Sequence, residues 1–80
     1  MYKVYVVKQR KGGSEVLPES RTSTPSREAA IAAFKDAQAK GYTPDHVLLL
    51  THDGEKLAAH RYGALPGDPG YADADTLTRA

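Results

Sequence analysis

Apolar and polar positions alternate along Tyr2–Arg10, YKVYVVKQR, with Tyr2, Val4 and Val6 in one phase and Lys3, Tyr5, Val7 and Gln9 in the other. A period of two, carried by β-branched and aromatic residues, predicts a strand whose purely apolar phase faces the core. Two further apolar runs flank Asp53-Gly54 within TPDHVLLLTHDGEKLAAHRY, Thr43 to Tyr62. Asp-Gly between such runs predicts a hairpin, because a two-residue turn needs positive φ at both central positions. Counting outward from that turn pairs His52 with Glu55, Thr51 with Lys56, Leu50 with Leu57, Leu49 with Ala58, Leu48 with Ala59 and Val47 with His60. Regular alternation then puts Leu48, Leu50, Leu57 and Ala59 on the core face. Val47, Leu49, Ala58, His60 and Tyr62 fall on the other, which is less polar than a solvated face should be.

Between these segments the pattern changes period. Lys11–Ser14, KGGS, is a turn, since its glycines supply positive φ at no steric cost, and loops of two, three or four residues all fit them. A returning strand is expected from about Glu15 to Thr22. Pro18 cannot donate a ladder hydrogen bond, so this strand belongs at an edge or is broken by a bulge. Thr24-Pro25 then reads as a helix start, with Thr24 as cap, Pro25 in the first helical position and Glu28 near the positive end of the dipole. Ala30, Ala33, Phe34 and Ala37 recur at helical spacing, with Ile31 beside them, and Gly41 ends the helix. Asp36 and Lys40 form a favourable i,i+4 pair. From Gly63 onward, GALPGDPGYADADTLTRA loses apolar periodicity and reads as a flexible Pro/Gly/Asp-rich tail.

These elements predict an α+β fold: ββαββ, a four-stranded, mainly antiparallel sheet with one helix packed on one face. The domain is expected to span residues 1–62, with the tail over 63–80. One helix covers one face of the sheet, so the other must be solvated, self-associated or bound to a partner.

Composition narrows the function classes. Eighty residues make one small domain, of a size that often relies on a disulfide, a metal or a partner subunit. Cysteine is absent, which removes disulfides, thiolate metal sites and thiol nucleophiles, and fits a reducing, cytoplasmic location. No apolar run approaches membrane-span length, and the basic start MYKVYVVKQRKGG has no apolar segment of signal-peptide length. The net charge of +1 conceals an asymmetry. Lys3, Lys8, Arg10 and Lys11 are concentrated at the start, whereas Asp68, Asp73 and Asp75 lie near the end. Near-neutrality argues against a protein dominated by phosphate-backbone binding, although a local basic tip remains.

Candidate chemistry is sparse. His52-Asp53 resembles a metal-binding or catalytic pair, but Asp is what the turn geometry asks for, and the expected pairing scatters His46, His52 and His60. The serines and threonines cluster in a turn, an edge strand and a helix cap, without a nucleophile-elbow context. Gly12-Gly13 lacks the spacing and the following helix of a phosphate loop. The expectation is therefore a non-enzymatic protein with no cofactor, no metal and no small-molecule substrate. Its candidate interface is the uncovered face, through Tyr5, Val7, Leu49, Ala58, His60 and Tyr62, contacting a partner protein or a second copy of the chain. The alternative is single-stranded nucleic-acid binding, with aromatics stacking bases and Lys3, Lys8, Arg10, Lys11 and Lys56 meeting phosphates.

The segments EVLPESRTSTPSREAAIAAF, Glu15 to Phe34, and DGEKLAAHRY, Asp53 to Tyr62, resemble small bacterial proteins, some of them carried on conjugative or integrative elements. The order of strands before a helix is also similar to the HicB-type antitoxin domain, though Thr24-Pro25-Ser26-Arg27 departs from its Thr-x-x-Glu-Ala helix start. The resemblance implies a mobile-element setting and a small partner-binding protein, and assigns no role to any residue.

Overall fold

The computed structural model describes residues 1–72. Its elements, in chain order, are β1 (Tyr2–Arg10), β2 (Gly13–Val16), β3 (Thr22–Thr24), α1 (Arg27–Gln38), β4 (His46–His52) and β5 (Glu55–Arg61). β1 and β4 form the centre of an antiparallel sheet ordered β2-β1-β4-β5, with β3 continuing along the same side of β1 as β2. The α+β architecture is therefore as expected, except that the returning second strand arrives in two pieces. Among the described residues, no helix is long and apolar enough to cross a membrane.

Pro18 causes the division. Arg10 pairs with Gly13, so the first hairpin closes through Lys11 and Gly12, with Gly12 at φ 90°. β2 then stops at Val16, and Pro18–Ser20 forms a single 3-10 turn before β3 resumes the pairing. The central strand keeps its hydrogen bonds across the break. The Leu17 N–H donates to the Val6 carbonyl at 2.9 Å, and the Val6 N–H donates to Ser20 Oγ at 2.9 Å. The Ser20 hydroxyl in turn donates to the Leu17 carbonyl at 2.6 Å. A side chain thus replaces the ladder acceptor that a continuous strand would have supplied.

The helix begins two residues later than the sequence suggests. Ser26, not Thr24, is the N-cap, its hydroxyl accepting from the Ala29 N–H at 3.2 Å, while Thr24 Oγ1 accepts from the Ser26 N–H at 3.1 Å. Pro25 lies just outside the helix, and the two hydroxyls together satisfy donors that the first turn leaves unpaired. The expected stripe packs inward: Ala30, Ile31 and Phe34 are buried. Val4, Val6, Ala30, Phe34, Leu48, Leu50 and Tyr62 form the core, with Leu17, Ala33, Ala37 and Ala58 packed around it.

The C-terminal hairpin departs from the expected register. The turn at Asp53 and Gly54 has positive φ at both positions (50° and 86°), and His52–Glu55 and Thr51–Lys56 pair as counted. A β-bulge then intervenes: Leu50 pairs with Ala58, Leu49 with Ala59, Leu48 with His60 and Val47 with Arg61. Leu57 is the extra residue, and every side chain after it changes face. Leu57 is 40% exposed instead of core. Ala58, His60 and Tyr62 turn towards the helix, and Ala59 moves to the uncovered side.

After Gly63 the chain turns back against this strand. The Arg61 N–H donates to the Gly70 carbonyl at 2.7 Å, and Gln38 Nε2 donates to the Ala72 carbonyl at 2.8 Å. Tyr71 meets the His60 ring edge-on with centroids 4.9 Å apart. Tertiary contacts therefore continue to Ala72, past the boundary expected at Tyr62. The remainder of the expected tail, residues 73–80, lies outside the described residues.

Candidate functional site

The uncovered sheet face is built in cross-strand rows, because paired residues of an antiparallel sheet project to the same side. One row runs Ser23–Lys3–Thr51–Lys56. The next runs Tyr5–Leu49–Ala59, and the third Val16–Val7–Val47–Arg61. Six apolar residues, Tyr5, Leu49, Ala59, Val16, Val7 and Val47, thus occupy two adjacent rows. Their exposure differs: Val7 keeps 8% of its surface and lies in the floor, whereas Val16 keeps 41%. The charged strand residues on this face, Lys3, Lys56 and Arg61, are all cations.

The row of Tyr5 ends at a notch. Leu17 packs against the core cluster, so the Pro18–Ser20 connection dips to the helix side instead of continuing the outer surface. Between Val16 of β2 and Ser23 of β3 this leaves a cavity of about 390 Å³ beside Tyr5, whose lining includes Lys3, Arg21 and Thr51. Among the described residues, neither the Lys3 nor the Arg21 side chain has an ion-pair or hydrogen-bond partner.

Of the sequence-derived interface residues, Tyr5, Val7 and Leu49 come together here. Ala58, His60 and Tyr62 do not, because the bulge at Leu57 places them on the helix side. Tyr62 is 4% exposed, and its hydroxyl donates to the Ala37 carbonyl at 2.6 Å. Burial, with the neighbouring Tyr42, pushes its pKa up to about 12. His60 is also 4% exposed, and its Nδ1 accepts from the Ala72 N–H at 3.2 Å, with Gln38 Nε2 at the same distance. Burial lowers its pKa by disfavouring the charged ring. Ala59 and Arg61 take the vacated places, and Val47, Val16 and Arg21 complete the face and its notch. The bulge falls within KLAA, which has no glycine to mark it, so the sequence carried no signal that would have found it.

The basic residues of the nucleic-acid alternative divide as well. Lys3 and Lys56 flank Thr51 on the uncovered face. Lys8 belongs to the phase of Val4 and Val6 and lies near enough to Asp45 to help lower that carboxyl's pKa. Arg10 is paired with Glu15 at 2.7 Å, and Lys11 occupies the hairpin loop. A continuous basic track from tip to face is not formed.

The histidines have local partners. His52 stacks on Tyr2 with ring centroids 4.2 Å apart, and Asp53 Oδ1 accepts from the N-terminal ammonium at 2.8 Å. That bond and its charge hold the Asp53 carboxyl below the usual carboxylate range. His46 is buried at the start of β4, and its Nδ1 has Thr43 Oγ1 at 2.9 Å and Asp45 Oδ1 at 3.1 Å. A hydrogen bond from Thr43 is the chief cause of the lowered Asp45 pKa. Both groups meet the same ring nitrogen, whereas a nucleophile relay needs one on each. Among the described residues, no three His, Asp or Glu converge as metal ligands.

Comparison with protein-family profiles, with curated proteins and with solved structures finds no match to this chain. These comparisons lend no support to the mobile-element setting suggested by the two resembling segments.

Proposed function

We propose that this domain is a non-enzymatic protein-binding module that acts through its uncovered sheet face, with a partner protein or a second copy as occupant. The observation that carries this reading is the pair of apolar rows, Tyr5–Leu49–Ala59 and Val16–Val7–Val47, on the side of the sheet opposite α1. Strand spacing of ~4.8 Å and same-face spacing of ~6.7 Å give six such residues a floor of roughly 200 Å². A stable interface buries about 800 Å² per partner, so the apolar floor would form its core and the polar rows its rim.

The experiment compares wild type with a Tyr5→Ser, Leu49→Ser double variant, whose changes leave the helix-side core intact. Sedimentation reports self-association, and quantitative affinity capture from a bacterial extract reports a foreign partner. Association in either assay should be lost in the double variant and kept in Ser14→Ala, a polar change beside the patch. Identical sedimentation and identical captured proteins for wild type and double variant would refute the reading.

A further inference from the structure

We infer that the notch beside Tyr5 is a carboxylate-binding subsite, and that it receives an acidic side chain of a partner polypeptide whose neighbouring apolar residues lie on the Tyr5–Leu49 rows. This rests on the reading of the uncovered face as a protein interface and gives that interface a chemical preference.

Three observations converge. The cavity has room for a side chain, at about 390 Å³, and exists because Pro18 interrupts the edge strand and Leu17 draws the connection to the other side of the sheet. Its lining combines two cations, Lys3 and Arg21, with the hydroxyl-bearing Ser23 and Thr51 and the apolar Tyr5 and Val16. Cations and hydroxyls are the donors that a carboxylate accepts from, and an arginine fork matches its planar geometry. Among the described residues, neither cation has a counter-charge, whereas Arg10, at the far end of β1, is neutralised by Glu15 at 2.7 Å.

Charge also separates the two occupants. The charged strand residues beside the apolar rows, Lys3, Lys56 and Arg61, are all cations, so a face-to-face pair of identical chains would bring like charges together across its two-fold axis. An acidic partner meets the same rim with complementary charge. A peptide carboxylate next to a leucine suits a cationic notch that opens onto an aliphatic floor.

The test uses the full chain and the capped peptide acetyl-Leu-Glu-Leu-Glu-amide, followed by two-dimensional amide NMR, with its Gln-for-Glu counterpart as control. The acidic peptide should shift the amides of Lys3, Tyr5, Val16, Ser23 and Thr51, and bind about tenfold more tightly than the control at low salt. Lys3→Gln and Arg21→Gln should each weaken it about 3- to 5-fold, the size of an exposed ion pair, and leave the dispersion of the spectrum unchanged. Equal affinity of both peptides, with shifts confined to Leu49 and Val47, would overturn the carboxylate subsite and leave the interface reading standing. Absence of shifts from either peptide would also overturn the subsite, while sedimentation and capture judge the face independently. Tighter binding of oligo(dT) at the same amides would assign the notch to a nucleic-acid phosphate instead.

Discussion

Ser20 provides the sharpest test of how the broken edge strand is held. Val6 lies in the central strand with 0% exposure, and the partner of its N–H is the Ser20 hydroxyl at 2.9 Å. Ser20→Ala removes that acceptor, and with it the donor to the Leu17 carbonyl at 2.6 Å. The carbonyl still accepts from the Ser20 N–H at 3.0 Å, so the main loss falls on Val6. A typical hydrogen bond contributes about 0.5–1.5 kcal/mol net, and a buried donor left unpaired costs about 1–3 kcal/mol. Ser20 is half-buried, so water reaches the site only in part, and a loss of about 1–2 kcal/mol is expected. For a domain of this size, that corresponds to roughly 5–15 °C in Tm. Tryptophan is absent, so urea unfolding is best followed by far-UV circular dichroism. Hydrogen exchange supplies the local readout: the Val6 amide should lose protection selectively, while Val4, whose partner strand is β3, keeps its own. Ser20→Thr, which retains the hydroxyl, should recover most of the stability. An alanine variant within about 0.3 kcal/mol of wild type, with Val6 protection unchanged, would refute the reasoning.

Three further outcomes follow from buried groups and from the bulge. The raised pKa of Tyr62, about 12 against an ordinary 10.0, means that the folded state keeps a proton the unfolded chain has released. Its contribution is complete below pH 10 and disappears as pH rises towards 12, and an alkaline unfolding series should show this fall in wild type but not in Tyr62→Phe. The lowered pKa of His60 acts at the other end. Stability should fall as pH drops below the unfolded value of 6.5, because the unfolded chain takes up the proton first. His60→Gln should flatten that dependence between pH 6.5 and 5, and NMR signals of Tyr71 and Ala72 should move with the titration in wild type. Deleting Leu57 should cost only about 1 kcal/mol, the partial burial of one aliphatic side chain, because Lys56 and Ala58 then follow one another in regular alternation. Deleting Ala59 instead turns His60 and Tyr62 outward and should cost about 3–5 kcal/mol, the scale of losing a large core side chain. Equal losses for the two deletions, measured by urea unfolding, would contradict the bulge.

Local signals in the sequence carried most of the architecture. The alternation of Tyr2–Arg10 and the stripe from Ala30 to Ala37 identified the central strand and the covering helix, since both patterns depend on one element's own period. The Asp53-Gly54 turn was legible for the same reason. The helix start was displaced because Ser23–Ser26, STPS, contains three hydroxyl residues, and only tertiary placement makes Ser26 the N-cap and Thr24 its support. Pro18 announced a defect in the second strand, but not that Ser20 would fill the vacant acceptor position, because that bond joins residues 14 apart in sequence.

The uncovered face was the harder inference, and its partial failure has one physical origin. Alternation propagates an error: a single inserted residue inverts every side chain beyond it. With Leu57 inserted, two aromatics and an alanine that seemed to form the heart of an exposed patch became core and its support, while Ala59 and Arg61 moved out. The exchange changes the character of the site as well as its membership. Without His60 and Tyr62, the face loses two of the three rings that made it resemble a base-stacking surface, and it gains aliphatic area with a cationic border. That composition is the basis for proposing a partner with leucine-like and acidic side chains in preference to a single strand of nucleic acid. The insertion also bends and twists β5 at the free edge of the sheet, where an exposed strand would otherwise invite another chain to pair. The Gly70 carbonyl occupies the Arg61 N–H on that same edge. Bulge and returning segment thus both disfavour edge-to-edge pairing along β5, in keeping with the proposal that recognition uses the apolar rows between β2 and β5.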